Sequence, residues 1–308
     1  MPAERDAHRS APAPIALFVY NRPSHTRQTV EALQRNPPAV DSDLVVFADG
    51  ARGGADIAAV RQVRDFVRSI VGFKSVNIVE REANMGLAAS IIGGVTAMCN
   101  QHDRVIVLED DLVTAPTFLR YMNDALMTYE DEETVGSIHG YWYPARFNVP
   151  ETFFLRGASC WGWATWSRAW RMFEPDGGKL LAELRRRKLT RLFDLDGAIG
   201  YTRMLQQQIA GKNNSWAIRW HAAMFLAGRL QLSPGASLVR NIGFDGSGTH
   251  SGKSEAYRVE LAYKAVRVSR IALEECADAR AALIHYYRST RRSLSARALW
   301  RLRRMLGQ

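Results

Sequence analysis

Three carboxylates in a row, Glu109, Asp110 and Asp111, follow an apolar run from Val105 to Leu108. Such a run is typical of a buried strand in a parallel sheet. Carboxylates this close together repel one another and resist desolvation unless a cation lies among them. Oxygen ligands suit Mg²⁺ or Mn²⁺, which in enzymes usually also hold a substrate phosphate. The triplet therefore indicates a divalent-metal site, and an acid that only caps the helix after Pro116 is the alternative.

The triplet ends the fourth of a series of predicted strands that alternate with predicted helices. The strands are expected over Ile15–Tyr20, Asp43–Ala48, Ser75–Val79 and Val105–Leu108, and the helices over Thr26–Gln34, Ile57–Val71 and Leu87–Asn100. This alternation predicts an α/β fold with a parallel sheet and right-handed crossovers. Ligands of such sheets bind at the carboxyl ends of the strands, where the triplet lies.

The second half of the chain is less regular and rich in tryptophan. After a helix over Phe118–Glu130 and a strand over Thr134–Tyr141, the segment 153–170 holds four of the eight tryptophans. A late strand is expected over Leu232–Val239, before the glycine-rich segment 241–250. One or two helices are expected over Glu255–Tyr287.

Composition narrows the class of protein. The chain has 308 residues, of which 47% are hydrophobic and 23% charged, as in an ordinary globular protein. Its three cysteines match no zinc or disulfide pattern, which favours a reducing compartment. No apolar run approaches the roughly 18 residues that a membrane span needs. Residues 1–13 are expected to form a disordered leader.

The net charge of +10 is concentrated at the carboxyl end. Residues 253–308 hold 13 Lys and Arg against 5 Asp and Glu, a net charge of +8. We expect a basic helical tail there, with apolar and arginine faces suited to an anionic membrane surface. Nucleic acid is not expected as a partner, because the rest of the chain offers no binding motif.

The order of the motifs resembles the nucleotide-binding half of the GT-A glycosyltransferases. The features that carry the resemblance are Tyr20-Asn-Arg-Pro23, Ala48-Asp-Gly50, Asn84-Met-Gly86 and Glu109-Asp-Asp111. The segment 109–116 is similar to the metal motif of N-acetylglucosaminyltransferase I. Segments around Trp161, Trp216 and 241–250 resemble the second half of a bacterial family-2-like group. Together they cover roughly Pro14 to Gly252.

The resemblance implies a GT-A domain over residues 14–252, with a nucleotide half at 14–116 and an acceptor or sugar half at 117–252. It implies a glycosyltransferase that uses Mn²⁺ or Mg²⁺ and a UDP-sugar donor. The acceptor would be a glycan or a lipid-linked group in surface polysaccharide synthesis. Inversion at the anomeric carbon is favoured, with retention left open. The expected location is the cytoplasm, including the inner face of the membrane.

The resemblance also implies roles for individual residues. Tyr20 and Arg22 would lie near the base or phosphates, and Asp49 would accept a hydrogen bond from a uracil N–H. Asp111 would ligate the metal. The remaining donor-side residues are Asn84 and Gly86 at the helix start, and Glu109 and Asp110 near the ribose or the metal's water shell.

Other residues have two interpretations each. Trp161 and Trp163 would line the sugar site, since glycine between them permits close approach of a ligand, or they belong to the core. His250 would contact the diphosphate or metal, or it is a core or surface histidine.

No carboxylate lies beside Trp216, where related sequences tend to carry an Asp. Either the base lies elsewhere or the reaction is not a simple inversion. The candidate bases are His139, Asp194 or Asp196, and His221, of which His139 and Asp196 are favoured.

Two other functions stay open on the sequence. A nucleotidyltransferase also places acids on an α/β sheet, but usually carries a Gly-rich, Lys/Arg-containing signature after the first strand. This chain has Asn21-Arg-Pro-Ser24 there. A glycan- or nucleic-acid-binding protein could instead use the tryptophans and the basic tail without catalysis.

Overall fold

The computed structural model describes residues 11–144, 148–246 and 254–290. Its strands are β1 Ile15–Val19, β2 Asp43–Ala48, β3 Ser75–Glu80, β4 Arg104–Glu109, β5 Leu112–Thr114, β6 Val135–His139, β7 Thr152–Arg156, β8 Trp163–Trp166, β9 Leu230–Pro234 and β10 Val239–Asn241. Its helices are α1 Pro23–Gln34, α2 Gly54–Val67, α3 Leu87–Gln101, α4 Phe118–Thr128, α5 Ser167–Trp170, α6 Gly177–Arg186, α7 Thr190–Phe193, α8 Tyr201–Ile209, α9 Trp216–Leu226 and α10 Ala277–Thr290. Short 3₁₀ turns cover Pro37–Asp41 and Gly243–Asp245.

The central sheet has the strand order β3-β2-β1-β4-β8-β6-β9-β7. Strands β1 to β4 are mutually parallel, and β6 is parallel to β9. Strand β8 runs antiparallel to both β4 and β6, and β7 runs antiparallel to β9. The predicted α/β fold with a mainly parallel sheet is therefore confirmed.

Helices cover both faces of the sheet, and β1 and β4 are therefore buried on both sides. Ile106 and Leu108 of β4 point into a core shared with α1, α2 and α4. Val105 and Val107 alternate to the other face, where they pack with α3, α5 and α9. The continuous apolar run read from the sequence is thus the signature of a strand between two helical layers.

A small antiparallel pair joins the two halves of the chain beside the sheet. Strand β10 pairs with β5, with Asn241 opposite Leu112. The backbone N–H of Ile242 then donates to the Asp111 carbonyl at 2.8 Å. The predicted late strand over Leu232–Val239 is thus divided into β9 and β10, which belong to different sheets. The division brings the segment after β10 against the acidic triplet.

The helix prediction over Glu255–Tyr287 is wrong for its first two thirds, because residues 254–276 form an irregular strap. Val259, Leu261, Val266 and Val268 contact the core from this strap, at spacings closer to extended chain than to a helix. Its backbone is bonded to the domain, with the Ala262 N–H donating to the Ser237 carbonyl at 2.8 Å. Residues 254–290 therefore pack on the domain that was expected to end at 252.

Residues 291–308 of the expected basic tail lie outside the described residues, as do residues 1–10 of the leader. Ala13, expected within the leader, is only 1% exposed. Among the described residues, none of the helices combines the length and apolar character needed to cross a bilayer.

Candidate functional site

The carboxyl ends of β1, β2 and β4 lie side by side at one edge of the sheet. Val19 pairs with Ala48, and Phe18 pairs with Glu109. The residues that follow each strand therefore meet at this edge, as the motif order predicted. It is the position at which open α/β sheets bind ligands.

Arg22 joins two of the three triplet carboxylates. Its Nη2 lies 2.5 Å from Asp110 Oδ1 and 2.9 Å from Asp111 Oδ2. Pro23 begins α1 directly after it, and its fixed φ suits the first position of a helix. Burial alone would lower the pKa of Arg22, but the charges of Asp110 and Asp111 raise it above its usual value. The guanidinium therefore stays charged and acts as a built-in counter-ion.

One guanidinium does not neutralise three acids. Burial, together with the charges of Asp111 and Asp110, raises the pKa of Glu109 to about 8. Burial also raises the pKa of Asp110 to about 6, against the opposing effect of Arg22. Within the described residues no hydrogen bond reaches the Glu109 carboxylate. The cluster is therefore deficient in positive charge.

Gly243 closes over this cluster. A Cβ at position 243 would lie 2.1 Å from Asp111 Oδ2 and 3.1 Å from Arg22 Nη1, so a larger residue there must displace the turn or the Asp111 carboxylate. Two residues after Gly243, Asp245 Oδ2 lies 3.1 Å from His25 Nε2, which connects the 3₁₀ turn to α1. Sequence reasoning did not identify Gly243, although the glycine-rich segment after β10 was its signal.

Asp49 is fully occupied by protein donors. Its Oδ1 accepts from the N–H groups of Gly50 at 3.0 Å and Met85 at 2.9 Å. Its Oδ2 accepts from Asn84 Nδ2 and the Gly86 N–H, both at 3.0 Å. A carboxylate has about four acceptor sites, so none is left for a uracil N–H. In this arrangement Asp49 fixes the turn before α3, and its contact with a uracil N–H stays a prediction.

Asn84 and Gly86 set the start of α3 at the same edge. Asn84 Nδ2 also donates to the Gly50 carbonyl at 2.9 Å. A Cβ on Gly50 would lie 2.5 Å from the Ala83 carbonyl carbon, which explains a glycine where the two loops touch. Gly86 has φ +75°, a left-handed conformation that favours glycine. The amino end of α3, which favours anionic groups, is thereby held beside the strand ends.

Tyr20 and its neighbour Asn21 hold the loop after β2. The Tyr20 hydroxyl donates to Asp56 Oδ2 at 2.7 Å, and Asn21 Nδ2 donates to Asp56 Oδ1 at 2.8 Å. These two hydrogen bonds lower the pKa of Asp56. Tyr20 thus lies at the predicted edge, with its hydroxyl engaged by the protein, and its contact with a nucleotide stays a prediction.

The predicted sugar-lining role is wrong for Trp163. Its side chain is 1% exposed and packs in the core against Trp170, Trp216 and Trp220, at ring distances of 5.9, 5.5 and 5.9 Å. The reason is its place in β8, in the middle of the sheet. Trp161, before Gly162, is only partly buried and contacts Phe244 and Tyr257 edge-on. The sugar-lining role of Trp161 stays a prediction.

The two predicted bases lie in the second half of the fold. His139 ends β6, is 3% exposed, and has its pKa lowered by burial to about 3. Asp196 follows α7 with φ +54° and forms an ion pair with Arg280 at 2.9 Å, whose hydrogen bond lowers the pKa of Asp196. A base role for either stays a prediction. His250 lies outside the described residues.

The carboxylates of the cluster do not by themselves complete the coordination of a divalent cation, so a bound ligand would have to supply further oxygens. Within residues 11–144, 148–246 and 254–290, no group of three His, Cys, Asp or Glu is arranged as a protein-only metal site. Mg²⁺, however, commonly takes one or two carboxylates plus waters and substrate phosphates. Asp111 and Glu109 supply hard oxygens, and the excess negative charge of the cluster favours a cation.

No protein-family model matches the chain, and no curated protein sequence matches it significantly. Solved structures do match. A mannosyltransferase from Pyrobaculum calidifontis, in complex with GDP-Man and Mn²⁺, is 16% identical with a TM-score of 0.29. The alignment covers 42% of this chain and 36% of that one, about a third of the mannosyltransferase's length.

Two other matches are similar in strength. Glucosyl-3-phosphoglycerate synthase from Mycobacterium tuberculosis, in complex with Mg²⁺ and UDP, is 14% identical with a TM-score of 0.33, over 61% of this chain and 70% of that one. UDP-glucose pyrophosphorylase complexed with UDP-glucose is 10% identical with a TM-score of 0.36, over 72% and 90%. Scores this low carry no conclusion about activity, which has to come from the site itself.

Proposed function

We propose that the protein is a divalent-metal-dependent glycosyltransferase. It takes a sugar from a nucleotide sugar, with UDP as the carrier, and transfers it to a glycan or lipid-linked acceptor. The observation that carries the proposal is the under-neutralised cluster of Glu109, Asp110 and Asp111. It lies at the carboxyl edge of a parallel sheet, beside the amino end of α3 and beneath Gly243.

Each part of this edge has a role in holding a nucleoside diphosphate. Asp111, with Glu109, would hold Mn²⁺ or Mg²⁺, which stabilises the negative charge developing on the leaving diphosphate. Arg22 keeps the carboxylates of Asp110 and Asp111 in a fixed orientation. The amino end of α3 adds backbone N–H groups that favour anionic oxygens.

One sequence feature favours a glycosyltransferase over a nucleotidyltransferase. The chain has Asn21-Arg-Pro-Ser24 after β1, where a nucleotidyltransferase usually carries a Gly-rich, Lys/Arg-containing signature. Incubation with UTP and a sugar 1-phosphate, against incubation with a UDP-sugar, separates the two. Metal-dependent formation of a UDP-sugar in the first mixture would favour the nucleotidyltransferase.

Asp111→Asn is the direct test of the metal site. The change keeps the shape of the side chain and removes its charge, so Mn²⁺-dependent UDP affinity should fall at least about tenfold. Calorimetric titration of UDP with and without Mn²⁺ measures it. Asp65→Asn, on the exposed side of α2, is the control and should bind as the wild type does. Unchanged Mn²⁺-dependent affinity in Asp111→Asn would contradict the proposal.

The general base is proposed to be His139 or Asp196. Transfer requires a group that accepts the acceptor hydroxyl proton. Loss of His139 or Asp196 should then reduce turnover by about 10²-fold or more while UDP affinity stays unchanged. The variants are His139→Gln and Asp196→Asn, compared by steady-state kinetics. If both turn over at the wild-type rate, the base is a different residue.

A further inference from the structure

A second polar space lies away from the acidic triplet, between the sheet and the helices of the second half. It is a cavity of about 40 Å³, bounded by β6, β7 and β9 on one side and by α7 to α10 on the other. That volume holds roughly three water-sized groups. It therefore has room for one small polar group, such as a carboxylate, at the end of a larger ligand.

The lining of this cavity carries more positive than negative charge. Its cations are the guanidinium groups of Arg156 and Arg280, and among the described residues Glu275 is its only carboxylate. Glu275 accepts from the Arg156 backbone N–H at 3.1 Å and lies 3.5 Å from Arg280 Nε. The side chains of Glu275 and Arg280 are 28% and 19% exposed, so the cavity reaches the surface beside them. One carboxylate leaves the second guanidinium without a counter-ion inside the cavity.

The other titratable side chains of the lining are uncharged near neutral pH. Burial lowers the pKa of His139 to about 3 and that of His221 to about 4. Burial also raises the pKa of Tyr201 to about 12 and that of Tyr143 well above its usual value. The positive excess of the lining is therefore not offset by these groups, and it favours a negatively charged ligand.

Asp196 pairs with Arg280 from outside the lining. Its Oδ2 lies 2.9 Å from Arg280 Nη1. The hydrogen bond from Arg280 and the charges of Arg280, Arg191 and Arg288 together lower the pKa of Asp196. Since this one carboxylate is shared among three arginines, it does not remove the positive excess of the cavity.

Arg280 has one nitrogen without a partner. Its Nη1 is paired with Asp196 and its Nε lies beside Glu275, but its Nη2 is buried with no hydrogen-bonding partner among the described residues. Buried donors are paired as a rule, and an unpaired donor on a charged group is unfavourable. The Cys276 N–H donates to the Phe154 carbonyl of β7 at 2.9 Å, which docks the start of α10 on the sheet. Arg280 Nη2 is thus a fixed donor whose acceptor the described residues do not supply.

A second donor comes from β9. Ser233 is 1% exposed, and its Oγ accepts from Gln231 Nε2 at 3.0 Å. In the described part of the chain no acceptor takes the Ser233 hydroxyl proton, so this hydroxyl can donate into the cavity. A guanidinium and a hydroxyl together suit the two oxygens of a carboxylate, because hydrogen bonds to an ionised acceptor are the strong ones.

The cavity adjoins the acidic triplet across one strand. His139 of β6 pairs with Trp163 of β8, which pairs with Val107 of β4. Glu109 follows Val107 by two residues and so lies on the same face of the sheet. Strands two apart are separated by about 10 Å. Cys160 is close enough to Glu109 that the charge of Glu109, after burial, raises the pKa of the Cys160 thiol.

We propose that this cavity binds the carboxylate of an acidic acceptor, with a sugar acid as the class of ligand. Arg280 Nη2 and the Ser233 hydroxyl donate to the carboxylate oxygens, and Arg156 adds positive charge. A phosphate group fits less well, because it has more heavy atoms and carries nearly two negative charges at neutral pH. The assignment to an acceptor rests on the proposed glycosyltransferase function. The binding site itself rests on the cavity, its charge and the unpaired nitrogen.

The test is direct binding of small probes to the full chain, by ligand-observed NMR titration. Glucuronate is the sugar acid, glucuronamide has nearly the same shape without the charge, and inorganic phosphate represents the other anion. Glucuronate should bind saturably and at least about tenfold more tightly than glucuronamide, as loss of a hydrogen bond to a charged group predicts. Phosphate should bind more weakly than glucuronate. This comparison uses the wild-type chain and depends on no variant.

Arg280→Lys keeps the positive charge but offers a single nitrogen, which cannot pair with Asp196 and also donate into the cavity. Its Kd for glucuronate should rise about tenfold, and Ser233→Ala should raise it about 3- to 10-fold. Arg288→Lys is the matched control, because Arg288 is an exposed residue of the same helix outside the lining, and it should bind as the wild type does.

Three results would overturn the carboxylate site. They are absence of saturable glucuronate binding, equal Kd values for glucuronate and glucuronamide, and equal Kd values for Arg280→Lys and Arg288→Lys. Tighter binding of phosphate than of glucuronate would also contradict it. If glucuronate binds as expected and UDP-sugars are not turned over, the site is supported and the transferase proposal fails. If UDP-sugars are turned over and glucuronate does not bind, the transferase proposal stands without this site.

Discussion

Four carboxylates lie at neighbouring strand ends, and their partners divide them into two kinds. Asp49 accepts four hydrogen bonds from backbone and amide donors, so it is a structural acid that positions the start of α3. Asp110 and Asp111 share the single guanidinium of Arg22, and Glu109 has no hydrogen-bonding partner among the described residues. Only the second kind gains from a bound cation.

Replacing Gly243 should disturb the acidic triplet, residues 109–111, and leave Asp49 unchanged. In Gly243→Ala the new methyl group would collide with Asp111 Oδ2, so the turn or the carboxylate must shift. We expect Mn²⁺-dependent UDP affinity to fall at least about tenfold, with the melting temperature lowered by only a few degrees. Calorimetric titration and a thermal melt measure the two. Gly54→Ala is the control, since nothing lies within 4 Å of its Cβ. Equal UDP affinities for both variants would contradict the role of Gly243.

The sequence predicts which acids lie at the strand ends, but not which of them are hydrogen-bonded by the protein. Acid types at strand ends can be read from the chain, because apolar runs end sharply at Asp49 and Glu109. Whether an acid is satisfied depends on which donors a turn brings to it. The four donors to Asp49 include three backbone N–H groups, and backbone groups leave no residue-specific signal. Gly243 was missed for a related reason, because its importance comes from a residue 132 positions earlier in the chain.

At the scale of elements, prediction was accurate where periodicity and breaking residues agreed. Strands β1 to β4 were placed within one residue at each end, because apolar runs are bounded there by Asn21, Gly50 and the acidic triplet. The strap 254–276 was misjudged as helix because its residues have no breaker and its packing partners are distant. Trp163 was misjudged because short spacing between tryptophans does not distinguish a strand inside the sheet from an exposed loop.

Two adjacent glycines of α3 provide a test of the helical layer. A Cβ on Gly94 would lie 2.6 Å from the Phe18 ring, whereas nothing lies within 4 Å of a Cβ on Gly93. Gly94→Ala should lower the free energy of unfolding by about 1–3 kcal/mol through overpacking. Gly93→Ala should raise it by about 0.5–1 kcal/mol, since alanine favours helix. Urea unfolding measures both, and a stabilised Gly94→Ala would contradict the packing of α3 on Phe18.

At the scale of the whole molecule, two buried histidines make stability sensitive to acid. Burial lowers the pKa of His139 to about 3 and that of His221 to about 4. In the unfolded chain both titrate near 6.5. As pH falls from 6.5 toward 4, the unfolded state therefore takes up protons that the folded state does not. The contribution of the two neutral histidines to the free energy of unfolding is complete above pH 6.5. Below that pH it falls by up to about 2.7 kcal/mol per pH unit for the pair.

His221→Gln should reduce that slope by about 1.4 kcal/mol per pH unit, because one titrating group is removed. Urea unfolding at several pH values between 4.5 and 6.5 measures the slope. Val71→Ala, at an exposed position that carries no titrating group, serves as the control and should keep the wild-type slope. Identical slopes for the wild type and His221→Gln would show that His221 is not held neutral by the fold.

The tryptophan cluster also gives the molecule an optical signature. The indoles of Trp163 and Trp216 stack at 5.5 Å and 29°, and the Trp170 and Trp220 rings lie 5.1 Å apart. At such distances their electronic transitions couple, so the far-ultraviolet circular dichroism should contain an exciton band in addition to the backbone signal. These rings belong to β8, α5 and α9. The band therefore reports on the docking of those helices on the sheet, independently of whether the helices themselves persist.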